Sequence, residues 1–107
     1  MAGEHIQELN DENFEQTIAS GITLVDFFTD WCGPCRTLGP IFEEVAAEMH
    51  QKAQFAKLNV DTGTAMATKH RVTSVPTLIL FKEGQELHRQ EGLRDAKAIK
   101  ELVTSAF

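Results

Sequence analysis

The run Ile22-Thr23-Leu24-Val25-Asp26-Phe27-Phe28 constrains the fold more than any other part of this 107-residue chain. It is too continuously apolar and β-branched for a strand with one wet face, so it reads as a central strand covered on both sides. Such a sheet needs helices above and below it, and the flanking pattern supplies them. Ahead of the run, Ile6 to Leu9 reads as a short strand, after which Asn10 or Asp11 can cap a helix carrying Phe14 and Ile18 until Gly21 ends it. Beyond it, Leu38, Ile41, Phe42, Val45, Ala46 and Met49 recur at three- and four-residue spacing, which predicts an amphipathic helix. Pro40 falls inside that helix, removes one backbone donor and is expected to kink it.

The rest of the chain keeps alternating. Ala53 to Val60 predicts a second buried strand, and Thr64 to His70 a short helix after the Asp61-Thr62-Gly63 turn. Pro76 to Phe81 predicts a third strong strand and Glu83-Gly84 a hairpin turn, with Leu87 anchoring a final strand polar enough for a sheet edge. Asp95 caps a last helix whose Ile99, Leu102, Val103 and Ala106 form one buried stripe. This order predicts an α/β fold, a mixed sheet with helices on both faces, in one domain spanning residues 1–107.

Both cysteines of the chain lie just after the central run, in Trp31-Cys32-Gly33-Pro34-Cys35. A bond between them closes so small a loop that chain entropy makes it worth only about 2 kcal/mol, against about 3 for a fifteen-residue loop, so it is a weak staple. Half of a zinc site is a second reading, but His5, His50, His70 and His88 lack the short spacing of a histidine pair, so no metal is expected. A redox-active dithiol is the third. The formal net charge of -6 and the lack of a basic stripe argue against nucleic-acid binding. No apolar run approaches membrane-spanning length and Met1 to Asn10 does not resemble a secretory signal, so no membrane contact and a cytoplasmic location are expected. In a reducing compartment a close cysteine pair points to catalysis, redox sensing or metal binding rather than structure.

An ordered set of residues closely resembles the thioredoxin family: Asp26 before the pair, Trp31-Cys32-Gly33-Pro34-Cys35 itself, Pro40, Lys57, Asp61, Val75-Pro76-Thr77, Gly84 and Gly92. The resemblance covers nearly the whole chain and implies the thioredoxin fold, a central mixed five-stranded sheet flanked by four helices. It also implies a general protein-disulfide reductase, a monomer that needs no cofactor beyond its redox-active disulfide. Its partners would be disulfide-containing client proteins and a thioredoxin reductase that recharges it.

Cys32 falls at a helix N-terminus, where free N–H groups and the macrodipole favour its thiolate by about 1 kcal/mol, or roughly one pKa unit. Only a thiolate attacks a disulfide, so Cys32 is the expected attacker and Cys35, one turn on, the resolving thiol. By resemblance, Asp26 accepts the Cys35 proton through water and Lys57 sits across from it. The resemblance further implies a cis bond before Pro76 and a substrate-binding rim of Trp31, Gly33, Pro34, Val75, Pro76, Gly92 and Leu93. A partner-holding module with incidental cysteines is a rival reading, and an oxidant or isomerase a third that Pro34 disfavours. Four residues depart from the family pattern: Phe28 stands for a frequent tryptophan, His70 for a common tyrosine, Glu91 for an apolar residue and Leu93 for a smaller one. Glu91 and Leu93 put charge and bulk on the presumed rim, so client preference is where this chain should differ.

Overall fold

A computed structural model describes residues 3–107. Five strands form one sheet in the order β1-β3-β2-β4-β5, and four helices flank it, as the family resemblance implies. The strands are β1 (Ile6–Leu9), β2 (Ile22–Phe28), β3 (Gln54–Asn59), β4 (Thr77–Lys82) and β5 (Gln85–Glu91). The helices are α1 (Phe14–Ile18), α2 (Gly33–Met49), α3 (Thr64–Lys69) and α4 (Ala96–Thr104). β3 runs parallel to β1 and β2, whereas β4 is antiparallel to β2 and to β5.

The apolar run takes the central place its composition demands. Side chains of a strand alternate between faces, and β2 has apolar partners for both. Leu24 packs with Phe55, Leu78 and Leu80 beneath Leu38, Phe42 and Val45 of α2 and Ile99 and Val103 of α4. Val25 and Phe27 point the other way, to Phe14 and Ile18 of α1 and to Met66 of α3. Each fully buried side chain of this kind contributes about 1.5–3 kcal/mol by leaving water. The same alternation puts Asp26 on the Leu24 face, under α2, which decides where the site forms.

Local chemistry explains most element ends. Asn10 caps the turn leading into α1: its Oδ1 accepts the Asn13 N–H at 2.8 Å, while Asn13 Oδ1 accepts the Asn10 N–H at 2.7 Å. Asp11 has a different task, since its carboxylate accepts the Met66 N–H at 3.0 Å and so caps α3 from across the molecule. Glu83 and Gly84 both have positive φ, 52° and 83°, as a tight two-residue hairpin requires. α2 continues through Pro40 as one helix to Met49. Leu87 corrects an expectation: it falls at a register shift between β4 and β5 and is 43% exposed, so it anchors nothing. The bulge turns it outward, and β5 is held by its backbone ladder to β4 along a sheet edge.

Candidate functional site

The cysteine pair sits where β2 hands the chain to α2. Cys32 is the N-cap of α2, with extended backbone, and its Sγ accepts the Cys35 N–H at 3.1 Å. Gly33 and Pro34 open the helix, and proline is harmless there because first-turn N–H groups have no intrahelical acceptor. A disulfide joins Cys32 and Cys35 with their Cα atoms 5.2 Å apart, and only 6% and 5% of the two residues is exposed. Among the described residues, no three or more His, Cys, Asp and Glu side chains come together as a metal site. No described helix is long and apolar enough to cross a membrane.

A distant loop comes up to the disulfide, and the end of β5 is bonded to that loop. The Val75-Pro76 bond is cis, and the Val75 carbonyl oxygen lies 3.8 Å from Cys32 Sγ. Thr77 Oγ1 donates to Ser74 O at 2.7 Å and closes the turn across that bond. Gly92 donates its N–H to Pro76 O at 2.8 Å with φ at 95°, a conformation that suits glycine alone at low cost. Leu93 follows, 44% exposed, and Trp31 is 69% exposed. The Trp31 ring is nevertheless fixed, because its indole N–H donates to Asp61 Oδ2 at 2.9 Å. A Cβ built on Gly33 would meet nothing within 4 Å, so the space beside Gly33 is open.

Behind the pair is a buried charge. Asp26 is 4% exposed, and burial pushes its carboxyl from the ordinary 3.8 up to about 7, with the Lys57 ammonium opposing that rise. Lys57 is its register partner on β3, and the Lys57 Nζ lies 5.1 Å from the centre of the Phe28 ring. Asp26, Lys57, Phe28 and Cys35 all line one cavity of about 430 Å³ between the sheet and α2. The cavity therefore joins Cys35 to a carboxyl whose pKa burial has raised to about 7.

Asp61 and Thr29 lay outside what the sequence could reveal, whereas His70 stands at the helix end where the sequence places it. Asp61 matches the family pattern, but nothing in the sequence pairs it with Trp31 thirty residues earlier. Thr29 is 2% exposed and lines the same cavity, although a threonine at a strand end looks like a loop residue. His70 ends α3 as its C-cap, and its ring packs on Phe14 at 5.1 Å and Phe81 at 5.2 Å, away from the disulfide. Burial lowers the His70 pKa, which keeps the ring neutral as a packing element.

Comparison with known proteins agrees with this architecture. A family model described as Thioredoxin matches residues 5–105. Thioredoxin from Chlamydia pneumoniae is 46% identical over 98 residues, 92% of this chain and 95% of that protein. Thioredoxin from Staphylococcus aureus is 40% identical over 98 residues, 92% and 94% of the two chains. Among solved structures, a mutant thioredoxin from Halobacterium salinarum superposes with a TM-score of 0.87 at 34% identity, over 98% of this chain and 93% of that one. Similarity extends through sheet, helices and cysteine pair alike, and the chain belongs to the thioredoxin family, protein-disulfide oxidoreductases that work by dithiol-disulfide exchange.

Proposed function

We propose that this reductase works as a single-domain monomer in which Cys32 attacks and Cys35 resolves. The Cys32 thiolate attacks one sulfur of a client disulfide and expels the other as a thiolate. Cys35 gives its proton to Asp26 through water, and its thiolate then attacks Cys32 Sγ and releases the second client sulfur. Two electrons pass to the client, whose thiolates take up protons, and the Cys32–Cys35 disulfide remains. A thioredoxin reductase in the cytoplasm then returns the dithiol.

The observation that carries this order is the cap: Cys32 Sγ already accepts the Cys35 N–H at the start of a seventeen-residue helix. Both the hydrogen bond and the helix end favour negative charge on that sulfur rather than on Cys35. Support for Asp26 comes from its burial and the cavity it shares with Cys35 and Lys57. Support for docking comes from the exposed Trp31, Pro34 and Leu93, the free space beside Gly33, and the Val75 carbonyl beside Cys32 with Gly92 bonded to Pro76 next to it. An extended client segment can pair with the Val75 backbone as in strand addition. The test is covalent trapping: Cys35→Ser should accumulate mixed disulfides with clients, and Cys32→Ser should not. Trapping by Cys32→Ser alone would reverse the two roles.

A further inference from the structure

Four buried side-chain atoms in the described residues lack a hydrogen-bond partner, and two of them, Asp26 Oδ1 and Thr29 Oγ1, are carried by residues that line the same cavity. Buried polar groups nearly always find a partner in protein or ordered water, because one left alone has lost its hydration for nothing. Two such oxygens around one space that also admits Cys35 and Lys57 call for a shared partner. At about 430 Å³ the cavity has room for several waters, each needing about 30 Å³ and two to four polar contacts. Both oxygens are almost wholly shielded, so a water that reaches them sits in a tight recess of the wall and not in the open part of the cavity.

We infer that Thr29 is a positioning residue for the resolving step, its hydroxyl holding the water that carries the Cys35 proton to Asp26. The inference rests on the proposed role of Asp26. A hydroxyl suits the task because it donates and accepts at once, so it can orient a water toward a thiol in one state and a carboxylate in the next. The proton leaves Cys35 Sγ, passes through the water and arrives on Asp26, and no electron moves until the Cys35 thiolate attacks Cys32 Sγ. Other groups facing this space are Lys57 on β3, Arg36 and Glu43 on α2, and Asp30 in the turn after β2. From β4 the partner of Asp26 is the apolar Leu78, which supplies no charge or hydrogen bond.

The test uses the full reduced chain and a chromogenic aryl disulfide, whose first thiolate reports attack by Cys32 and whose second reports resolution. Thr29→Val is expected to leave the first release unchanged and to slow the second roughly tenfold, a part of the 10²–10⁴ that positioned proton transfer contributes. The midpoint of the pH profile for resolution should move up by as much as about one unit, because the charged form of Asp26 loses a hydrogen bond. Thr29→Ser should restore rate and profile. Thr29→Ala, measured alongside, removes the hydroxyl without adding a methyl, so a packing fault in the valine variant does not decide the outcome. Wild-type resolution in both the valine and alanine variants, or equal slowing in all three, would overturn the role. Asp26→Asn separates the two ideas: if it slows resolution while Thr29→Val does not, only the Thr29 role falls, and if Asp26→Asn is silent, both fall.

Discussion

Helices α2 and α4 both begin on an extended residue whose side chain accepts the backbone N–H three positions on, Cys32 from Cys35 at 3.1 Å and Asp95 from Ala98 at 2.9 Å. Asp95 is exposed and brings a carboxylate to the helix end whatever the state of the protein, so its cap serves stability alone. The Cys32 sulfur is a weak, neutral acceptor while it is bonded to Cys35, and becomes a charged one only when the bond opens. One geometry thus yields a fixed cap in α4 and a cap in α2 whose strength changes with redox state. What lies behind each differs too. Beneath α2 is the buried Asp26, whereas the inner face of α4 is Ile99, Leu102 and Val103.

The two aspartates should answer substitution with opposite signs, and Asp26 should answer more strongly. The Asp26 carboxyl titrates near 7 in the folded protein against an ordinary 3.8. Between those values the unfolded chain has lost the proton and the folded chain still holds it, so stability falls as pH rises and levels off above 7. Asp26→Asn removes that loss. Urea unfolding of the oxidised protein should show the variant more stable by on the order of 4 kcal/mol at pH 8, with the advantage fading toward pH 4. An advantage independent of pH would mean that the buried charge is not its source.

Asp95→Ala should instead destabilise by about 1 kcal/mol, the usual worth of an N-cap, and leave both thiolate releases untouched. If it altered resolution, the two helix starts would not be separable into a structural and a reactive one. A smaller effect is expected at a helix end remote from both. α3 closes with Arg71 at φ 57°, its N–H bonded to Thr68 O at 3.0 Å and the Val72 N–H to Ala67 O at 2.9 Å, a motif that usually takes glycine. Arg71→Gly should stabilise by up to about 0.5–1 kcal/mol in the same unfolding assay, offset in part by the freedom glycine gains when unfolded. A loss of stability would show that the arginine side chain outweighs the backbone strain.

Most of the fold could be read from the sequence because local pattern and burial agree there. The central run, the spacing of Leu38, Phe42 and Val45, and Asp95 ahead of its apolar stripe each state their element without help. Element ends drift by a residue: Ala53 and Pro76 fall just outside their strands, Lys82 falls inside, and α3 ends at Lys69. Failures come where a side chain answers to distant chain. Asp11 has the chemistry of a cap, and only tertiary contact shows that the helix it caps is α3. Leu87 has the chemistry of an anchor, and only the bulge shows that it faces out. Thr29 is ordinary in sequence, and its interest lies wholly in the cavity it lines.

α3 has six residues, too few to persist alone, and both of its ends are held by remote chain. Asp11 holds its first amides from 54 and 55 residues away, while Arg89 on β5 donates to the carbonyls of His70 and Arg71 at its close. The segment that follows α3 leads directly to Ser74, Val75 and Pro76, and the Val75 carbonyl borders the disulfide. The stretch from α3 to the cis Val75-Pro76 bond is therefore a dependent unit of local opening, governed at its α3 end by Asp11 and Arg89. Exchange of the Ala65 and Met66 amides would report its breathing, and selection for tighter or looser client capture could act at Asp11 or Arg89 without altering the reactive centre.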